Sequence, residues 1–309
     1  MLAITFLNIT RKAKGAVKSG ESILIQFPHG STMLIDTGVP ESGEMLRDRL
    51  CALGVTRIDC LLLTHFHIDH IGGAPCILDS FPVGEVITWP ESYFGDACDN
   101  DRVPQLFAAL RRHALASHMV WEGDQWEMDG VRIDVLGPCE HFPTDWQTYE
   151  AGIASTLHLP YYHSKSHPSE PFINDSSISL KCTYGKGSFL TCGDLYYPGE
   201  ARLARSREQD LSCTLAKVNH HGAYTSSTKA WLLAARPKAV CAVRDSLPPV
   251  PKPEAASFWK DNVDSRPEKD WPAMGCDYYH TFVNGEVRFL LEEDGSFAVQ
   301  VERGGKNML

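Results

Sequence analysis

A dense group of potential metal ligands directly follows an apolar run near residue 60. The run Cys60-Leu61-Leu62 is typical of a buried strand, and it leads into Leu63-Thr64-His65-Phe66-His67-Ile68-Asp69-His70-Ile71-Gly72-Gly73. If the chain stays extended after the strand, His65 and His67 project from the same side. A turn then brings Asp69 and His70 beside them. The pattern predicts a metal site at the end of a strand, built from imidazole nitrogen and carboxylate oxygen.

The rest of the chain alternates between strand-like and helix-like segments. Apolar runs rich in β-branched residues predict strands at 3–9, 22–27, 32–35, 58–63, 85–88 and 131–136, and again at 178–183, 188–192, 215–218, 239–243, 278–283 and 286–291. Helical periodicity is present at 43–53, 103–115, 199–207 and 228–235. Each half therefore begins with strands in hairpins and continues with alternating helices and strands. This order predicts a sheet-rich α/β fold with two similar halves and a shared core.

Two stretches interrupt that pattern. Residues 139–172 have no sustained period, and residues 245–272 are rich in proline and charge. We expect both to be loop excursions on the surface, or, alternatively, loops that roof or flank a site.

The composition limits the classes of function. With 309 residues, 43% of them hydrophobic and 22% charged, the chain can bury a large core. No window approaches the roughly 20 apolar residues of a membrane span. A net charge of −10 disfavours broad electrostatic binding to nucleic acid. The ten cysteines form no Cys-x-x-Cys pair and mostly lie in apolar runs, which indicates reduced core thiols and a cytoplasmic protein.

The metal-ligand run resembles the second motif of the metallo-β-lactamase superfamily, His-x-His-x-Asp-His. Three other runs resemble further motifs of that family: Met33-Leu34-Ile35-Asp36-Thr37-Gly38, Phe189-Leu190-Thr191-Cys192-Gly193-Asp194 and Lys217-Val218-Asn219-His220-His221-Gly222. The resemblance implies an αββα sandwich, in which two mixed β-sheets are flanked by helices. It implies that residues 1–309 form a single hydrolase domain, because the motifs of both halves must converge.

Finer details are similar to the hydrolase domain of the ComEC competence channel and its stand-alone relatives. They are found at 20–25, at 174–180, in the Ser226-Ser227 pair and at 278–285. That branch often carries Asp where this chain has His67, so the metal loop is closer to that of ordinary di-metal hydrolases. Many family members also have a third-motif histidine, whereas the histidines at 141, 158, 163 and 167 stand in no recognisable motif.

The resemblance implies two divalent metal ions, with zinc favoured and manganese or iron as alternatives. His65 and His67 would bind one ion, Asp69 and His70 the other, and Asp194 would bridge them. Asp69 would additionally orient the nucleophile. Such a pair of ions is about 3.5–4 Å apart in two-metal hydrolases.

Five further residues complete the predicted site. At least one of His220 and His221 is expected to bind metal, and the other to donate to substrate or to a transition-state oxygen. In place of the third-motif histidine, either one ion is weakly held or His220 supplies the extra ligand. Asp36 would support the metal loop from behind. Asn174 would contact substrate or orient the nucleophile, and Ser177 would support the site.

Together these residues predict a metal-dependent hydrolase that uses a metal-bridging hydroxide on a phosphodiester or related ester. We expect a small or short anionic substrate, with nucleic acid less favoured because of the negative charge of the chain. A carboxyl ester or lactone hydrolase is the alternative within the same chemistry. A metal-bound sensor or interaction module with little turnover is the alternative of another class, because the third-motif histidine is missing.

Overall fold

The computed structural model describes residues 1–13, 16–18, 20–95, 100–162, 169–246 and 253–306. The strands of these residues are β1 (Leu2–Phe6), β2 (Arg11–Ala13), β3 (Ala16–Lys18), β4 (Ile23–Gln26), β5 (Thr32–Ile35), β6 (Ile58–Leu62), β7 (Val83–Ile87), β8 (Ser117–His118), β9 (Gln125–Met128), β10 (Val131–Gly137), β11 (Ser179–Tyr184), β12 (Gly187–Thr191), β13 (Leu215–Lys217), β14 (Ala239–Ala242), β15 (Asp277–His280), β16 (Val287–Leu291) and β17 (Phe297–Val301).

The helices of the same residues are α1 (Gly43–Ala52), α2 (Ile68–Ile71), α3 (Ala74–Ser80), α4 (Arg102–Arg112), α5 (Trp146–Thr156), α6 (Glu170–Asp175), α7 (Tyr197–Ser206), α8 (Glu208–Leu211), α9 (Lys229–Ala235), α10 (Pro253–Asn262), α11 (Pro267–Ala273) and α12 (Thr281–Asn284). Short 3-10 turns cover Pro40–Ser42 and Asn219–Gly222.

The strands form two large mixed sheets and a small hairpin. The first sheet has the order β17-β16-β1-β4-β5-β6-β7-β8, and the second has the order β15-β14-β13-β12-β11-β10-β9. In the first sheet the strands from β17 to β5 are antiparallel, and those from β5 to β8 are parallel. In the second sheet the antiparallel part runs from β9 to β12, and the parallel part from β12 to β15. Each sheet thus repeats the order of hairpins followed by parallel strands that the sequence predicts.

Alternation along the strands divides the core into layers. Ile23 and Ile25 of β4 face the second sheet, whereas Leu24 between them packs under the helices on the other side. The inner layer joins residues of both sheets, such as Phe6 and Phe189, whose rings meet edge to face at 5.9 Å. Separate outer layers lie under α1, α3 and α4 on one side and under α7, α9 and α11 on the other. The predicted αββα sandwich is therefore confirmed.

The two stretches expected to be loops differ from that expectation. They contain α5 and α6 in residues 139–172, and α10 and α11 in residues 245–272. The helical periodicity of apolar residues is weak in α5, because Ile153 is the one buried residue of this helix. The short α6 and α11 begin with or next to proline, which disrupts a helical sequence pattern but suits a first turn.

Two further expectations concern thiols and membranes. The nine cysteines within the described residues are unpaired, and those at 60, 182, 192, 213, 241 and 276 are buried. Among the described helices, none combines the length and the apolarity that crossing a bilayer requires.

Candidate metal centre

The predicted site residues meet at one edge of the sandwich. Asp36 follows β5 and the 63–73 run follows β6, so both leave the carboxyl ends of parallel strands. Asp194 follows β12 and the His220–His221 pair follows β13 in the other sheet. Carboxyl ends of parallel strands are where α/β sheets commonly place their sites.

Asp36 supports the metal loop from behind. Its Oδ1 accepts a hydrogen bond from the Thr64 backbone N–H at 2.8 Å, and its Oδ2 accepts from Thr64 Oγ1 at 2.8 Å. His70 Nδ1 also donates to Oδ2, again at 2.8 Å. Asp36 adopts a left-handed backbone conformation with φ of 58°, which is uncommon for a residue other than glycine. These bonds leave His70 Nε2 facing Asp194, at 3.2 Å from its Oδ2.

Four side chains converge as one candidate ligand group. Each of Glu21, His70, Asp194 and His221 offers one ligand atom, and all four atoms lie within 4.8 Å of one another. His221 Nε2 is 3.0 Å from Asp194 Oδ2 and 3.3 Å from Asp69 Oδ2. Two imidazoles with buried carboxylates are a donor set that fits a divalent transition metal.

A second pair of imidazoles lies beside this group. His65 Nε2 and His67 Nδ1 are 3.1 Å apart. The rings of His65 and His70 are 4.1 Å apart between centroids, so the pair adjoins the first group. Burial and the neighbouring imidazoles lower the pKa of His65, and burial lowers the pKa of His67. Both rings are therefore neutral, which is the form that binds metal.

His220 and His221 both have strained backbones, with φ of 43° and 54°. His221 Nδ1 donates to the Val243 carbonyl at 2.9 Å, which orients its Nε2 toward the four-ligand group. His220 Nδ1 is hydrogen-bonded to Thr225 Oγ1, and its ring lies 4.6 Å from that of Tyr196. Burial lowers the pKa of His220 to about 3, so this imidazole is neutral.

Ser177 and Asn174 also lie near the site. Ser177 Oγ is 3.3 Å from His65 Nδ1 and accepts a hydrogen bond from the Asp194 backbone N–H at 3.0 Å, so it joins the two ligand loops. The amide of Asn174 is fully buried near the Tyr196 hydroxyl, but neither its Oδ1 nor its Nδ2 meets hydrogen-bond geometry with the described residues.

A buried ion pair next to the ligands was missed at the level of sequence. Lys217 Nζ lies 2.8 Å from Glu21 Oε2 and 3.5 Å from Asp194 Oδ1, and it donates to the Gly193 carbonyl at 2.6 Å. Burial lowers the pKa of Lys217, but Glu21 and Asp194 outweigh this effect and raise it. Glu21 lies in the 20–25 stretch and Lys217 begins the Lys217–Gly222 run, both of which resemble family motifs. Glu21 precedes β4, which is antiparallel to β5. That topology is the signal that places Glu21 at the same edge.

The charges of the group are strongly coupled. Burial disfavours the charged form of His70, yet Asp194 and Asp36 raise its pKa well above the ordinary value. The pKa of His221 is raised to about 10, because Asp194 and Asp69 outweigh its burial. Burial opposes ionisation of Asp194, but His221 and His70 hold its pKa well below the ordinary value. In the metal-free protein, the positive charges of protonated His70 and His221 therefore compensate the negative charges of the neighbouring carboxylates.

A cavity of about 240 Å³ opens onto the ligands. Its lining includes Asp69, His220 and His221 of the site, together with Arg244 and Asp245. Asp69 is half-buried there. His141 and His158 are exposed, and the histidines at 163 and 167 lie outside the described residues, so the described part of 139–172 provides no buried histidine.

The fold and the site define a class of protein. The family model of the metallo-beta-lactamase superfamily matches residues 16–166 of the chain. A solved structure of a CmlA beta-hydroxylase E377D mutant has the same fold, with a TM-score of 0.52 and 12% identity over 94% of this chain and 54% of that one.

The chain is also similar to ComEC-like proteins. It is 25% identical over 239 residues to ComE operon protein 3 of Bacillus subtilis (strain 168), covering 72% of this chain and 26% of that protein. The chain therefore spans about a quarter of the length of this relative. It is also 27% identical over 159 residues to a ribonuclease Z of Mycobacterium sp. (strain KMS), covering 46% of this chain and 54% of that one.

Proposed function

We propose that the protein is a metal-dependent hydrolase of phosphodiesters or related anionic esters. The observation that carries this proposal is the convergence of His70, Asp194 and His221 beside an open cavity. The similarity to a ribonuclease Z, whose name specifies cleavage of RNA, supports a phosphodiester over a carboxyl ester.

Two neighbouring positions would hold the metal. The group of Glu21, His70, Asp194 and His221 would hold one ion, and His65 with His67 would hold the other. Asp194 would join the two positions, since it belongs to the first group and its backbone N–H donates to Ser177 Oγ, which lies 3.3 Å from His65 Nδ1. Bound divalent ions of this kind lower the pKa of a bound water and polarise the ester oxygen of the substrate.

The residues of the chain would orient the reactants. Asp69 presents a half-buried carboxylate to the cavity and can accept a hydrogen bond from the attacking water. His220 is neutral, and its bond to Thr225 leaves Nε2 available to complete the His65–His67 position or to donate to the substrate. Asn174 is fully buried and is not among the residues that line the cavity, so it would act on the site through neighbouring residues.

The test uses purified protein loaded with zinc or manganese. Metal content is measured first, followed by turnover of bis(p-nitrophenyl) phosphate and of p-nitrophenyl acetate. We expect turnover of the phosphodiester, and its loss with metal in Asp194→Ala. Asp48→Asn is the matched control, because Asp48 is an exposed aspartate of α1.

Each other outcome contradicts a defined part of the proposal. Turnover of the acetate alone overturns the phosphodiester and favours a carboxyl ester hydrolase. Stoichiometric metal without turnover of either ester overturns the enzyme and favours a sensor. A protein that binds no metal overturns the whole site.

A further inference from the structure

Arg244 lines the same cavity as the candidate metal ligands. It follows β14 by two residues, so it leaves the same sheet edge as Asp194 and His221. Its backbone is held on both sides by Thr281, which accepts from the Arg244 N–H and donates to its carbonyl, each at 2.9 Å. The side chain is 6% exposed and lines the cavity together with Asp69 and His221. Its position is thus fixed by the fold.

The guanidinium of Arg244 has unused hydrogen-bonding capacity. The Tyr278 hydroxyl accepts a hydrogen bond from the guanidinium, whose Nε and Nη1 are buried and otherwise have no hydrogen-bond partner among the described residues. Within the same part of the chain, no carboxylate lies close enough to form an ion pair with it. Burial lowers the pKa of Arg244, with Tyr278 acting in the opposite direction. An arginine stays protonated in proteins, so this is a buried charge without a fixed counter-ion.

Such an arrangement is costly in a folded protein unless a ligand compensates it. A buried charge normally has an ionic partner and satisfied hydrogen bonds. Arg202, by contrast, has a carboxylate at 2.6 Å, from Glu122. The carboxylate nearest in sequence to Arg244 is Asp245, which lines the same cavity; Tyr278, Glu268 and Asp245 all act to raise the pKa of Arg244, but burial outweighs them.

The groups around the guanidinium leave room for an anion. His280 is buried, and neither ring nitrogen has a hydrogen-bond partner among the described residues. Burial and the charge of Arg244 lower the pKa of His280 to about 4, so this ring adds no positive charge. The cavity of about 240 Å³ is larger than a phosphoryl group requires. The cavity lining therefore combines a fixed positive charge with candidate metal ligands.

We propose that Arg244 binds the phosphoryl oxygens of the substrate in this cavity. The inference rests on the proposed function, and it names the chemical class that the site selects: an ester with an anionic phosphoryl group. The planar guanidinium can donate two parallel hydrogen bonds to phosphoryl oxygens, a geometry that lysine cannot reproduce. Arg244 would thus select substrate by charge and shape.

The first test measures binding of inorganic phosphate to metal-free protein by isothermal titration calorimetry. We expect Arg244→Gln to weaken binding about tenfold or more, because charge-assisted hydrogen bonds are lost. Arg244→Lys should recover only part of the affinity. The matched control is Arg49→Gln, which removes an arginine that lines another cavity and is paired there with Glu286. Circular dichroism and thermal melting check the fold of each variant.

Three results of that titration overturn the proposal. They are equal phosphate affinity in wild type and Arg244→Gln, no phosphate binding by the metal-free wild type, and acetate binding as tight as phosphate binding. The last result would assign the guanidinium to a carboxylate instead. An equal loss in Arg49→Gln would also contradict the assignment, because it would show a general charge effect.

The second test uses the metal-loaded protein. For bis(p-nitrophenyl) phosphate, Arg244→Gln should raise KM about tenfold or more and lower kcat by a smaller factor, with metal content unchanged. A change in kcat alone would contradict a binding role. If the wild type turns over no phosphodiester, the proposed function fails, whereas the phosphate titration still decides the role of Arg244.

Discussion

His70 Nδ1 lies 2.8 Å from Asp36 Oδ2, and both side chains are fully buried. The carboxylate therefore accepts a hydrogen bond from the Nδ1–H of His70 and fixes the ring so that Nε2 faces Asp194. Since Asp36 also receives two hydrogen bonds from Thr64, one carboxylate sets both the backbone of the metal loop and the orientation of a ligand.

Replacing Asp36 should weaken metal binding without removing a ligand. In Asp36→Asn the side chain keeps its size but loses the charge and one acceptor, so His70 is less firmly oriented. We expect zinc affinity to fall by about 10- to 100-fold. Competition with a chelating dye measures it, with Asp48→Asn as the control. Unchanged affinity would show that His70 needs no support from Asp36.

Metal uptake should release protons near neutral pH. His70 and His221 have raised pKa values, about 10 for His221, so both are protonated in the metal-free protein. Binding requires neutral imidazoles, so filling the four-ligand group should release about two protons, and affinity should increase with pH. Calorimetry at pH 7.5 in buffers of different ionisation enthalpy counts them. Identical heats in all buffers would contradict this expectation.

Sequence patterns predicted the architecture well for a physical reason. The β-branched runs and the alternation in strands such as β4 depend on burial between two layers, which local sequence records directly. The metal ligands at 65–70 were equally visible, because they are close in sequence. Predicting that these ligands meet Asp194 and His221 required the family resemblance. The local sequence contains no information on how the two sheets pack together.

A buried carboxyl should make stability depend on pH. Glu200 is fully buried and accepts hydrogen bonds from Asn219 Nδ2 and from the N–H groups of Ser227 and Thr228. Burial raises its pKa to about 7, despite these bonds. The folded state therefore holds the proton more tightly than the unfolded state. The stability gained in this way is full below the ordinary pKa and is lost as pH rises through about 7.

The comparison is between wild type and Glu200→Gln, both metal-free. Between about pH 5 and about pH 8 the wild type should lose about 3 kcal/mol more unfolding free energy than the variant. Urea unfolding at the two pH values measures the difference. Parallel losses in the two proteins would show that Glu200 is not the responsible group.

Close packing behind the metal loop should make one glycine irreplaceable. A Cβ on Gly73 would lie 2.2 Å from the Thr37 carbonyl oxygen, which is backbone and cannot move aside easily. Gly73→Ala should destabilise the protein by about 2 kcal/mol or more, because the added methyl group overpacks this contact. Gly152 in α5 has open space around its Cβ position, so Gly152→Ala should stabilise by about 1 kcal/mol. Equal melting temperatures for the two variants would contradict this argument.

The residues that sequence reasoning missed share one property. Glu21, Lys217 and Arg244 take part through long-range contacts that the strand order creates, and each looks ordinary in its own segment. Glu21 stands at the start of an antiparallel strand, and Arg244 stands after the strand next to β13. The helices α5 and α10 were missed for a different reason: they pack on the surface, and their apolar residues do not repeat regularly.

The position of β1 between β4 and β16 has a consequence for synthesis of the protein. The metal loop leaves the ribosome long before β16, so the nascent first half carries its histidines with one edge of β1 still unpaired. An unpaired strand edge can pair with other chains, and pairings so distant in sequence form slowly. Because Asp194 and His221 also emerge late, a metal ion caught early by the His65–His70 loop would be held by half of its ligands. Completion of the ligand set therefore requires β12 and β13, which precede Asp194 and His221.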